Sequence, residues 1–369
     1  MTQAAQDMIY LASCAVNGLA PDAARAEAMD LRALYETAQR HMMTAITAMA
    51  LESAGIRDPD FTQEKGKAVR KNAALDVERA AILARFEEAG IWYMPLKGAL
   101  LKELYPKYGM RQMSDNDILV DPDRAGDIRA IMEDRGFSVE DFGRNNHDIY
   151  RKAPIYNYEM HTELFDRRHT PELYAYYHDV KKRLVKDADN GFGYHFTDED
   201  FYLYMIAHDY KHYSHAGLGL RSLLDTYVYL RAKPELDLGH IAAEAEAFGA
   251  GTYERLQREA ALALFSGGEL SPEAAEVVAY MTDSGVYGTP EQLHRSSVVR
   301  NLAAAGSEGK YFLRRLFPPA SVLRKALPTL DRHPWLIPFY SVWRLIHAAL
   351  FRRDVIRREV GILKELEDR

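Results

Sequence analysis

The stretch "SDNDILVDP", Ser114 to Pro122, constrains this chain more than any other. Ile118-Leu119-Val120 is a short apolar run of the kind that fills a buried strand. Asp115 and Asp117 stand at its mouth, one residue apart, and a strand sends such side chains to one face. Carboxylates that close repel, and one shifts toward its neutral form unless positive charge lies between them. A divalent cation meets that need. Mg²⁺, or Mn²⁺ in its place, takes hard oxygen ligands, binds through one or two carboxylates and completes its shell with water and substrate phosphate.

Phosphate chemistry asks for more than two acids, and the neighbouring sequence offers candidates. "PLKG", Pro95 to Gly98, ends the preceding apolar stretch "IWYMPLKG" just before a helical segment. Gly98 lets a phosphate approach the backbone, the helix start offers free N–H groups, and Lys97 adds a point charge. Arg111 precedes the acids and has the fork geometry for bidentate phosphate binding. In "NYEMHTELF", Glu159, His161 and Glu163 alternate with mainly apolar residues, so a strand places them on one face. Beside "SDNDILV", Glu159 becomes a third metal ligand or a base, and His161 a ligand, an orienting group or a base. Each motif alone has a plainer reading: Asp-x-Asp as a turn, Lys-Gly as a helix boundary, Arg111 as half of an ion pair, the alternation as a wet strand edge. The ordered combination points to a site.

The pattern along the chain predicts an α+β fold, a small mixed sheet between helical regions. Residues 1–75 read as helices, with Gly55 a helix stop. Residues 76–170 read as an α/β core: the helix "DVERAAILARFEEAG", the strand "IWYMPLKG", a short helix ended by Pro106 and Gly109, the "SDNDILV" strand, a helix launched by Asp121-Pro122, and further strands. Residues 171–369 read as helical again. There His208, Asp209, Lys211, His212 and His215 crowd one helix and its end. His208 and His212 are i, i+4 neighbours, the spacing of two metal ligands on a helix, but the HExxH pattern is absent. The two histidines either line a cleft and pair with Asp225 or tyrosine hydroxyls, or face a ligand together with Arg221.

These motifs resemble a bacterial nucleotidyltransferase family with an "LKG…R…SDxDxLV" signature, within the polymerase-beta-like nucleotidyltransferase superfamily. The matching residues are Leu96-Lys97-Gly98, Arg111 and Ser114 to Val120. The acidic strand matches the family's later "D/E-x-H", and His208, His212, Arg221 and Asp225 match its helical "H…H…LR…D" segment. The resemblance implies transfer of a nucleoside monophosphate from a nucleoside triphosphate to a hydroxyl of a small molecule, sugar or protein, with Mg²⁺ and release of pyrophosphate. Carried over, Asp115, Asp117 and Glu159 are the catalytic metal ligands, while Lys97, Gly98, Arg111 and Ser114 belong to the nucleotide and phosphate site. Lys97-Gly98 stands where the superfamily has Gly-Ser. That departure motivates an alternative, a catalytically inactive nucleotide- or partner-binding module on the same fold.

Bulk properties fit this reading. A net charge of −7 argues against bulk nucleic-acid binding, which wants a basic face. One cysteine, Cys14, allows no intrachain disulfide and no cysteine-based zinc site. The segment "MTQAAQDMIYLASCAV" lacks a signal-peptide pattern, and no apolar run reaches the ~20 residues of a membrane span, so a cytoplasmic location is expected.

Overall fold

The computed structural model describes residues 1–187, 191–215 and 217–286 continuously, and beyond them 288, 297–298, 302, 308–318, 323, 327, 329–351 and 361. The chain packs as two compact units, Met1–Tyr213 with Gly217–Tyr287, and Ser214–Ala216 with Gly288–Arg369.

The first unit begins with helices α1 (Gln3–Val16), α2 (Ala23–Glu27), α3 (Leu31–Arg40) and α4 (Thr44–Ser53). A long helix follows, α5 (Pro59–Ala89). Asp58 caps it by accepting from the N–H groups of Asp60 and Phe61, Pro59 supplies a pre-set first turn, and Gly90 closes it in the left-handed conformation at φ 67°. The helix therefore runs unbroken through residue 76, where the sequence changes character.

Strands β1 (Tyr93–Pro95), β2 (Asn116–Val120), β3 (Ser138–Asp141), β4 (His147–Lys152) and β5 (Tyr156–His161) form one sheet in the order β1-β2-β5-β4-β3. The pair β2/β5 is parallel and the other pairs are antiparallel, so the sheet is mixed, as the sequence predicts. A short helix α6 (Lys97–Leu101) follows β1, and α7 (Ala125–Asp134) follows β2 through the turn at Asp121-Pro122.

Strand parity sorts the residues. Ile118, Val120, Tyr150, Tyr158 and Met160 face α5 and α7, packing on Leu75, Ile82, Phe86, Ile128, Ile131 and Met132. Burying each such side chain is worth roughly 1.5–3 kcal/mol, so a one-residue slip that turned Asp117 and Glu159 into this layer is strongly disfavoured. Met94 and Leu119, on the other face, join a second core with α1, α3, α4 and the later helices. Those later helices are α8 (Pro171–Tyr177), α9 (Asp198–His215), α10 (Arg221–Ala232), α11 (Leu238–Ala247), α12 (Gly251–Ser266) and α13 (Pro272–Ser284). A two-stranded ribbon, β6 (Val185–Lys186) with β7 (Tyr194–His195), lies between α8 and α9.

Two buried ion pairs tie the sheet region to α9 and α10. The Arg111 fork donates to both Asp225 oxygens, Nε to Oδ1 at 2.8 Å and Nη2 to Oδ2 at 2.9 Å, and the Tyr105 hydroxyl adds a third bond to Oδ1 at 2.8 Å. Lys97 Nζ bonds to Asp209 Oδ1, whose other oxygen accepts from Gln257 at 3.0 Å. Gln257 in turn donates to Thr226 Oγ1 at 2.8 Å. Removing one partner of a buried pair leaves an uncompensated charge, at a cost of about 3–5 kcal/mol. Asp225→Ala is therefore expected to lower unfolding free energy by about that amount in urea titration. Asp225→Asn, which keeps an acceptor, should lose less. An unchanged midpoint in Asp225→Ala would show that Arg111 does not depend on this partner.

Candidate functional site

Helix α5 fixes the acidic loop. Asn72 Nδ2 donates to the Arg111 carbonyl at 3.0 Å, and Lys71 Nζ to the Ser114 carbonyl at 2.8 Å. Arg79 Nη1 reaches Asn116 Oδ1 at 3.0 Å, and the Tyr158 hydroxyl bonds to the Leu75 carbonyl at 2.8 Å. Residues 71, 72, 75 and 79 share one helix face, so a single rigid element holds both ends of the loop and the start of β2. Arg221, at the start of α10, braces the same loop by donating to the Gln112 carbonyl at 3.0 Å.

On β2 and β5 the parallel register sets Asp117 against Glu159. With Asp115 they form a trio in which one oxygen from each carboxylate lies within 4.8 Å of the others. Ser114 Oγ donates to Asp115 Oδ1 at 2.8 Å. His161 Nε2 stands 3.5 Å from Asp117 Oδ1 and 3.8 Å from Glu159 Oε2. The antiparallel register sets His147 opposite His161, with ring centroids 4.9 Å apart and His147 Nε2 3.5 Å from Glu159 Oε2.

The electrostatics record the crowding. Burial, reinforced by the charges of Asp117 and Asp115, pushes the Glu159 carboxyl up to about 7. Burial and the charge of Asp117 also raise Asp115. Burial alone would raise Asp117 too, but His161, with His208 and His147 beyond it, outweighs burial and holds it below its usual range. Burial lowers His147 to about 4, with help from His161. Three carboxylates sharing one small volume are a hard-oxygen donor set under mutual repulsion, and these residues fit a divalent cation of the Mg²⁺ or Mn²⁺ type.

Other expected residues lie elsewhere. The Arg111 fork is engaged within the protein: Nε and Nη2 are held by Asp225 and Nη1 lies 3.2 Å from Met113 Sδ. Lys97 is likewise engaged by Asp209. The space a side chain would take at Gly98 is filled from within: a Cβ there would meet Met113 Cε at 2.8 Å and Arg111 Nη1 at 3.3 Å. The glycine thus serves the Arg111 packing, and α6 has only five residues. Glu163 follows the end of β5, bonded through its backbone to Asn146, and lines a separate groove with Asp166 and Arg167. The His208 and His212 rings meet at a tilt, their centroids 4.7 Å apart and their planes at 55°. Burial lowers both, His208 to about 4. His208 lies 3.7 Å from Asp209, whereas Asp225 belongs to Arg111 and Tyr105.

Two residues at this site were not singled out from sequence. His147 carries no local motif, and its place depends on a cross-strand register. Lys211, noted only as one of a crowd, interacts with the charges of Asp117 and Glu159, and burial lowers its pKa.

Residues 27–265 match the family model described as an uncharacterised nucleotidyltransferase. The chain belongs to this family. No curated protein and no solved structure matches it. Membership supports a nucleotidyl-transfer role with a nucleoside triphosphate as substrate, and the matched span contains the whole acidic trio. Among the described residues no helix is long and apolar enough to cross a membrane.

The raised Glu159 carboxyl gives a pH signature in the metal-free protein. Its folded pKa lies above the ordinary value of 4.5, so from about 4.5 to 7 the folded state keeps a proton that the unfolded chain has released. Stability therefore falls as pH rises through that window and stays lower above it, by an amount on the order of 3 kcal/mol. Glu159→Gln should melt higher than wild type at pH 8 and match it near pH 4. Parallel melting curves at both pH values would remove the crowding.

Proposed function

We propose that the protein is a metal-dependent nucleotidyltransferase that moves a nucleoside monophosphate from a nucleoside triphosphate to a hydroxyl acceptor, releasing pyrophosphate. The observation that carries this reading is the Asp115-Asp117-Glu159 trio, assembled by the register of β2 and β5. Family membership and the three-carboxylate donor set support it. Mg²⁺ or Mn²⁺ held there would neutralise polyphosphate charge and make the acceptor hydroxyl more acidic.

The chain's own residues do the rest. Ser114 orients Asp115 through its hydroxyl, and His161 stands against Asp117 and steadies the charged form. Lys211 is our candidate for the triphosphate cation, in place of Lys97 and Arg111, because its charge reaches the trio from α9. As the acceptor oxygen bonds to the α-phosphorus, the bond to pyrophosphate breaks, and the hydroxyl proton passes to a carboxylate oxygen of the trio. Lys97 and Arg111 act at one remove, by holding the loop that carries the acids.

The engagement of both cations by Asp209 and Asp225 motivates the second reading, a catalytically inactive nucleotide- or partner-binding module on the same fold. Pyrophosphate release separates the two. Purified protein with Mg²⁺ and a panel of nucleoside triphosphates and hydroxyl acceptors should release pyrophosphate, and Asp117→Asn should abolish it while melting as a folded protein. Binding without pyrophosphate across the panel would leave the second reading standing. Lys211→Ala should lower kcat/KM for the triphosphate by about 10- to 100-fold, the worth of one charge-assisted bond. An unchanged kcat/KM would take Lys211 out of the phosphate site.

A further inference from the structure

We propose that the site holds a second, chemically different cation: His147, Glu159 and His161 form a nitrogen-rich pocket for a transition metal ion of the Zn²⁺ class, sharing Glu159 with the all-carboxylate pocket. One ligand atom from each of the three residues lies within 4.8 Å of the others. His147 Nε2 is 3.5 Å and His161 Nε2 3.8 Å from the same Glu159 oxygen. Those separations are long for hydrogen bonds. They are close to the roughly 3.3–3.4 Å between ligands of a tetrahedral ion with bonds of about 2.0–2.1 Å.

An unsatisfied atom points the same way. Nε2 of His161, the nitrogen that faces Glu159, is buried without a hydrogen-bond partner. A buried polar nitrogen left unpaired is costly, and native interiors avoid it. Here that nitrogen belongs to His161, which the β4/β5 register places directly opposite His147. His147 and Glu159 keep 25% and 23% of their side-chain surface exposed, so an ion has an entry path and a position open to water or substrate.

Donor chemistry then divides the two pockets. Imidazole nitrogen suits Zn²⁺ and its first-row neighbours, whereas Mg²⁺ keeps to oxygen. Asp115, Asp117 and Glu159 favour Mg²⁺ or Mn²⁺. His147 and His161 with Glu159 favour the transition ion, and His161 Nε2 stands 3.5 Å from Asp117 as well. The role of this ion in catalysis rests on the nucleotidyl-transfer reading; its binding does not.

Binding is therefore tested without turnover. Full-length protein stripped with chelator is titrated with Zn²⁺ in a calorimeter and with Co²⁺ by visible absorption, which reports tetrahedral nitrogen ligation. One equivalent of each should bind in wild type and in Asp115→Asn, with excess Mg²⁺ failing to displace it. His147→Gln and His161→Ala should each weaken Zn²⁺ at least about tenfold, the lower end of what even an outer-shell partner contributes. If His161→Ala does not fold, the partly exposed His147→Gln carries the test, with its metal-free melting temperature as the folding control. Zn²⁺ affinity unchanged in His147→Gln, or displacement by Mg²⁺, overturns the proposal. A wild type that releases no pyrophosphate yet binds Zn²⁺ through His147 overturns the activity and leaves this site in place.

Discussion

The Arg111–Asp225 and Lys97–Asp209 pairs are the constraint on which the rest of this structure depends. Each joins residues more than a hundred positions apart, 114 for the first and 112 for the second. Each lies in an interior where an unpaired charge is not tolerated. They bind at both ends of the segment that matters, Lys97 just after β1 and Arg111 just before the acidic loop. The segment between them has its ends set by α9 and α10, and the acidic loop that follows Arg111 is set by α5. A carboxylate trio under mutual repulsion would otherwise splay, and this frame opposes that.

Much of this architecture was legible in the sequence, because it follows from local periodicity. The alternation of Asn116, Ile118 and Val120 with Asp117 and Leu119 sorts β2 into an apolar face and a chemical face before any partner is known. Tyr158 and Met160 against Glu159 and His161 do the same for β5. What stayed hidden was non-local. Lys97 and Arg111 sit beside a phosphate-type motif and read as phosphate ligands, while the acids that claim them lie on helices far downstream with no local mark. At Gly98 the space a side chain would take is filled by Met113 and Arg111, a contact that sequence spacing does not show. His147 was invisible for the same reason. Only the register of β4 on β5 brings it to Glu159.

The sheet order explains why the chemistry gathers where it does. In β1-β2-β5-β4-β3 the parallel step between β2 and β5 sets Asp117 beside Glu159, and the antiparallel step between β5 and β4 sets His147 beside His161. Glu159 and His161 share β5, so Glu159 meets a carboxylate from β2 and an imidazole from β4, while His161 reaches both Asp117 and Glu159. Burial raises the pKa of Glu159 first, and the charges of Asp117 and Asp115 add to it. The apolar face beneath cannot relieve the strain by shifting register, because a one-residue slip would bury the same charges among Leu75, Phe86 and Ile128. Protonation of Glu159 and the nearby imidazole of His161 relieve part of it; under the proposed function, cations held by the trio would relieve the rest, with Glu159 the residue common to both candidate pockets.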